Sequence, residues 1–90
     1  MTEQKKHIDL VEAHKASFRN ERLVKESQMC GCFYCGKIFP ATEIVCWCPD
    51  GTDATAICPY CPVDSVIPDA SGWPLTADFL AAMHRYWFKA

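Results

Sequence analysis

A small α+β domain, with a helix at each end and short strands between, is the fold this sequence predicts, and three observations predict it. The chain has 90 residues, read as a single domain (1–90) with room for only a modest core. Residues 1–27 hold no glycine or proline and are rich in Glu, Lys, Arg and Ala, which favours a helix. Residues 28–70 set short apolar stretches between Gly31, Gly36, Pro40, Pro49 and Gly51, a pattern of strands and turns, and residues 71–90 return to helical spacing.

The first element is a helix from about Thr2 to Ser27. Its apolar stripe is thin: Ile8, Val11 and Phe18, with Leu10, Leu23 and Val24 nearby, give partial helical periodicity. Glu21 stands four residues before Lys25 as a favourable surface pair. His7 and His14 share a face, but ligand pairs on helices favour closer spacings, so they read as ordinary helix histidines. Next, "EIVCWC" at 43–48 and "ATAIC" at 54–58 flank "PDGTD", whose Asp50-Gly51 signals a β-hairpin turn. After Cys61, "PVDSVIPDASG" is too broken for a long helix and predicts one turn and a loop. Thr76 then caps a final helix. Asp78 lies in its first turn, and Phe79, Leu80, Met83, Tyr86 and Trp87 recur at helical spacing.

Seven cysteines supply the staple that so small a chain needs. No signal segment and no bilayer-length apolar run is visible, so the expected compartment is the cytoplasm, where thiols stay reduced. Cys32 and Cys35 form one CxxC pair, Cys58 and Cys61 the other, with residues 36–57 between them. Two such turns present four thiolates to one tetrahedral ion, and their separation is close to that of paired zinc knuckles. Gly36 strengthens the first knuckle, because a residue that tolerates positive φ often follows the second cysteine. One structural zinc ion is expected, with iron as the alternative for the same donors.

The "CPYC" spelling at 58–61 also suggests dithiol redox chemistry. That reading needs most of a thioredoxin-type domain after the motif, and residues 62–90 are too few and too broken to build it. Cys30, Cys46 and Cys48 are left over. In a strand, Cys46 and Cys48 would face the same way, and the plain expectation is small thiols packed into the core. A second metal within the chain would need a fourth donor such as His84, His14 or a carboxylate.

The order knuckle "CFYCGKIF", hairpin, "AICPYCPVDSVI" resembles a treble clef zinc finger, the fold shared with HNH endonucleases, with a zinc-ribbon-like finger as the alternative. In those enzymes the hairpin between the cysteine pairs carries a catalytic histidine, whereas residues 36–57 contain none. The resemblance therefore implies no nuclease activity. "CGCFYC", "AICPYC", "DSVIPDASGWPLTADFL" and "MHRYWF" are also similar to a family of short, uncharacterised bacterial cytoplasmic proteins, which brings no established activity. Pro62 departs from the glycine expected after the second pair and is expected to alter that knuckle.

Charge narrows the partner classes. Residues 1–27 carry six basic against five acidic side chains, and residues 28–90 three against six, which is not the footprint of a nucleic-acid binder. Tyr86, Trp87 and Phe88 are consecutive in the final helix, and residues about 100° apart cannot all face one core. They are candidate anchors for a protein partner or a second copy, unless the N-terminal helix covers them. The expected function is a non-catalytic, zinc-stabilised interaction protein. The alternatives are a nucleic-acid-associated finger using Lys37, Arg19, Arg22 and Lys25 with Phe33, Tyr34 or Trp47, or a degenerate nuclease using Asp50, Asp53, Asp64 and Asp69. Turn aspartates more often hydrogen-bond their own backbone.

Overall fold

The computed structural model describes residues 9–88. Over them the chain runs α1 (Leu10–His14), α2 (Glu21–Lys25), β1 (Met29–Cys32), β2 (Ile38–Pro40), β3 (Trp47–Asp50), β4 (Asp53–Ala56), β5 (Val66–Pro68) and α3 (Ala77–Trp87), with short 3-10 turns between. Mixed helices and antiparallel strands make this a small α+β fold.

The single N-terminal helix is corrected over its described part, and the portion holding His7 and Ile8 lies outside the described residues. Asp9 caps α1 by accepting from the backbone N–H groups of Val11 and Glu12 at 3.1 and 3.0 Å. A 3-10 turn at Lys15–Ser17 follows, and Arg19 then takes a φ of +52°. Asn20 explains the break. Its amide Nδ2 donates to the carbonyls of Ala16 and Val66, both at 3.0 Å, and its Oδ1 accepts from the Ala56 N–H at 3.0 Å. Two tertiary bonds and one local bond to a buried side chain override helix propensity that no glycine or proline interrupts. The expected Glu21–Lys25 pair forms at 3.0 Å on α2.

β1 is the centre of a three-stranded antiparallel sheet ordered β2-β1-β5. The turn and loop expected after Cys61 are corrected here: Val66, Ile67 and Pro68 pair with Cys32, Gly31 and Cys30. Pro68 is tolerated because β5 is an edge strand. Alternation along the strands serves two cores. Cys30, Cys32, Phe39 and Val66 pack with Val24, Ile44, Ala56 and Cys58, while Phe33 and Ile67 pack with Ala13, Phe79, Leu80 and Met83. Gly31 lets α3 approach the second face, since a Cβ there would lie 3.1 Å from Leu80 Cδ1.

The predicted hairpin forms as β3 and β4, pairing Trp47 with Ala56 through Asp50 with Asp53. Gly51, at φ +70°, takes the turn. Its first strand starts four residues later than expected, because residues 41–43 form a 3-10 turn. The final helix is as expected: Thr76 Oγ1 accepts from the Phe79 N–H at 3.1 Å, and Phe79, Leu80 and Met83 are buried. Residues 72–76 lead into it without regular structure. No helix among the described residues is long and apolar enough to cross a membrane.

Candidate metal centre

Each cysteine pair is held by backbone bonds that the sequence permits locally. In the first knuckle the Gly36 N–H donates to the Cys32 carbonyl at 2.8 Å and the Cys32 N–H to the Lys37 carbonyl at 2.9 Å. Gly36 adopts φ +83°, the left-handed conformation expected of it. In the second, the Cys58 N–H donates to the Val63 carbonyl at 3.0 Å, and the Tyr60 N–H points at Cys58 Sγ at 3.3 Å. Pro62 stands where Gly36 stands in the first knuckle. The second pair lies in a turn, with no helix starting at it.

Strand pairing brings the knuckles together. β5 runs alongside β1, and the Phe33 N–H donates to the Ser65 carbonyl at 3.0 Å, so the chain after Cys61 is anchored beside Cys32. The four sulfurs of Cys32, Cys35, Cys58 and Cys61 then lie within 4.8 Å of one another. Cys32 and Cys61 are 3.5 Å apart, and Cys35 and Cys58 3.8 Å. A tetrahedral ion with metal–sulfur bonds of about 2.3 Å would require sulfur separations of about 3.8 Å. All four are free thiols, at distances well beyond a disulfide bond of about 2.05 Å. The residues present thus fit a four-sulfur metal ion.

Electrostatics point the same way. Burial pushes the Cys32 thiol up, but the Ser65 hydroxyl, 3.1 Å away, the backbone N–H groups of Cys35 and Tyr34 and the Cys61 thiol outweigh it, and the net direction is down. Burial raises Cys58 and Cys61, and the negative charge of Cys32 raises both further. One thiolate is therefore stabilised, while the two partners resist ionising beside it. A divalent cation removes that conflict, because it attracts every thiolate at once.

The remaining cysteines divide. Cys30 is buried in β1, where desolvation and the nearby Asp69 carboxylate push its thiol up to about 12, so it serves as an apolar core residue. Cys46 and Cys48 are exposed, which corrects the expectation of a thiol-packed hairpin face. Trp47 between them packs against the core instead. Among the described residues the four-cysteine cluster is the one group of three or more potential metal ligands found.

The two described histidines serve packing. His14 lies 4.1 Å, ring to ring, from Trp87, and a His84 ring nitrogen is 3.2 Å from the Phe33 carbonyl. Of the aromatic trio, Tyr86 is 51% and Phe88 37% exposed, whereas Trp87 is half-buried and its indole donates to the Leu10 carbonyl at 3.1 Å. The N-terminal segment covers Trp87, the outcome that the sequence left open. Phe88 joins Phe33, Tyr34 and His84 in an aromatic cluster beside the first knuckle. A groove of about 450 Å³ opens there, lined by Tyr34, Cys35, Leu80, His84 and Arg85 among others. Asp53 accepts from the N–H of its neighbour Ala54 at 3.1 Å, whereas Asp69 accepts from the distant Met29 N–H at 2.9 Å and ties the chain after β5 to the start of β1. Lys37 lies over the Tyr60 ring, 5.3 Å from its centroid.

Asn20 and Ser65 were invisible to sequence reasoning, since nothing local distinguishes an amide or hydroxyl that will meet a distant strand or sulfur. Comparison with known protein families, curated proteins and solved structures finds no match. The fold and site define a small α+β domain whose four clustered cysteines are compatible with a metal ion.

Proposed function

We propose that the chain is a non-catalytic, zinc-stabilised interaction protein of the small zinc-finger kind. The observation that carries the reading is the cluster of four sulfurs within 4.8 Å of one another: on one ion they would complete a tetrahedral shell, and a closed shell leaves no position for a substrate or reactive water. Zinc suits four thiolates, has no redox chemistry and supplies folding energy where the hydrophobic core is small. The ion fixes the two knuckles, and the knuckles place β1 and β5 beneath α3.

Binding then falls to the surface. The groove beside Tyr34, His84 and Phe88 lies against the first knuckle, so the metal fixes one of its walls. A zinc-ribbon-like finger and the bacterial cytoplasmic resemblance belong to this reading as well. The test is metal analysis of protein purified from its native cells, joined to cross-linking in those cells. One zinc ion in the finger of each chain, unfolding on chelation, and cross-links lost in Phe88→Ser with the fold retained are expected. A metal-free protein with full structure would refute the zinc reading, and hydrolytic turnover that tracks the intact finger would refute the non-catalytic one.

A further inference from the structure

We propose that Cys46 and Cys48 form half of a second metal site, completed by the same pair from a second copy of this chain, so that a zinc ion bridges a dimer. The argument starts from donor counting. Four cysteines share one cluster and Cys30 is buried in the core, which leaves Cys46 and Cys48 as the exposed thiols with no structural role. No second cluster of three or more donors exists among the described residues. His84, the donor that could have completed a site within the chain, is held at the Phe33 carbonyl.

Local structure makes the pair a chelate. Cys48 lies in β3, and the Ile57 N–H donates to the Cys46 carbonyl at 3.1 Å, so Cys46 continues the ladder with β4. Residues two apart in such a strand point to one side, and Trp47 between them packs on the core. Their side chains are rooted about 6.6 Å apart, so each sulfur needs to lean about 1.4 Å toward the other to span one tetrahedral edge of about 3.8 Å.

Two thiolates fill half of a tetrahedral shell. An isologous two-fold contact supplies the other half with no further sequence requirement, because each copy brings the same pair. The surroundings suit such a contact. Among the described residues β3 pairs with β4 alone, which leaves its other edge open to a second copy beside the exposed Cys46 and Cys48.

The test uses the full chain with a non-thiol reductant and excess zinc, comparing it with the Cys46→Ser/Cys48→Ser double variant by native mass spectrometry. Three zinc ions per pair of chains are expected, falling to one ion per monomer in the variant, whose finger is untouched. Wild-type protein that stays monomeric with one ion, a monomer holding two, or a dimer that persists in the variant would each overturn the proposal. A dimer holding a single ion lost in the variant would support the bridge while refuting the finger, so the two readings fail separately.

Discussion

Gly36→Ala should destabilise the protein through its backbone alone. Gly36 holds φ +83°, left-handed backbone that an L side chain rarely adopts, and a Cβ added there meets nothing within 4 Å, so no clash contributes. Backbone held in this region costs a non-glycine residue on the order of 1–3 kcal/mol. The smaller conformational freedom of alanine in the unfolded chain offsets about 0.4–1 kcal/mol of it. The net loss is about 1 kcal/mol, a factor of roughly 5 in the folded-to-unfolded ratio. Because folding and metal binding are linked, the loss also appears in zinc affinity. Competition with a chromophoric chelator reads the affinity, and urea unfolding of the zinc-loaded protein reads the stability. The reasoning is refuted if Gly36→Ala leaves both unchanged or raises stability by about 0.4–1 kcal/mol, the entropic effect expected at a position that tolerates a side chain.

Asn20→Ala strands the Val66 carbonyl and the Ala56 N–H in the interior, and should cost roughly 2–4 kcal/mol in urea unfolding, where Asn20→Asp cannot rescue the lost donation to Val66. Ser65→Ala removes the hydroxyl 3.1 Å from Cys32 Sγ and should lower zinc affinity by about 10–100-fold with the fold retained at saturating zinc, measured by the same competition assay. Zinc release on acidification should follow protonation of the thiolates, with Ser65→Ala releasing at higher pH than wild type, because the hydroxyl holds the Cys32 thiol down. With zinc bound as a monomer, a thiol reagent should modify Cys46 and Cys48 rapidly and Cys30 only on unfolding, as mass spectrometry of the labelled peptides would read.

The features legible in the sequence are those whose cause is local. CxxC spacing names the four clustered sulfurs because two tight turns can each present two of them, and Asp50-Gly51 and Thr76 announce a hairpin and a cap through their own backbone chemistry. What the sequence hid depends on partners far along the chain. The helix break at Arg19 is dictated by β4 and β5 acting on Asn20, and β5 itself exists because β1 has a second edge to fill. Cys46 and Cys48 look like core thiols until Trp47 is seen to take the inward position, a competition that alternation alone cannot decide.

The same division governs where an interaction can be sought. Trp87 reads as an anchor in sequence, yet its indole is committed to Leu10 and its ring to His14, so Trp87→Ala would loosen α1 from α3 and report on folding. Phe88 and Tyr34 are the discriminating positions. Both are partly exposed, they meet edge to face at 4.9 Å, and they stand beside the knuckle that Cys32 and Cys35 close. If the groove binds a partner, chelating the metal should abolish binding together with the knuckle, while Phe88→Ser should abolish it with the metal still in place. Loss of binding in Trp87→Ala but not in Phe88→Ser would shift the interaction from the groove to the seam between the helices.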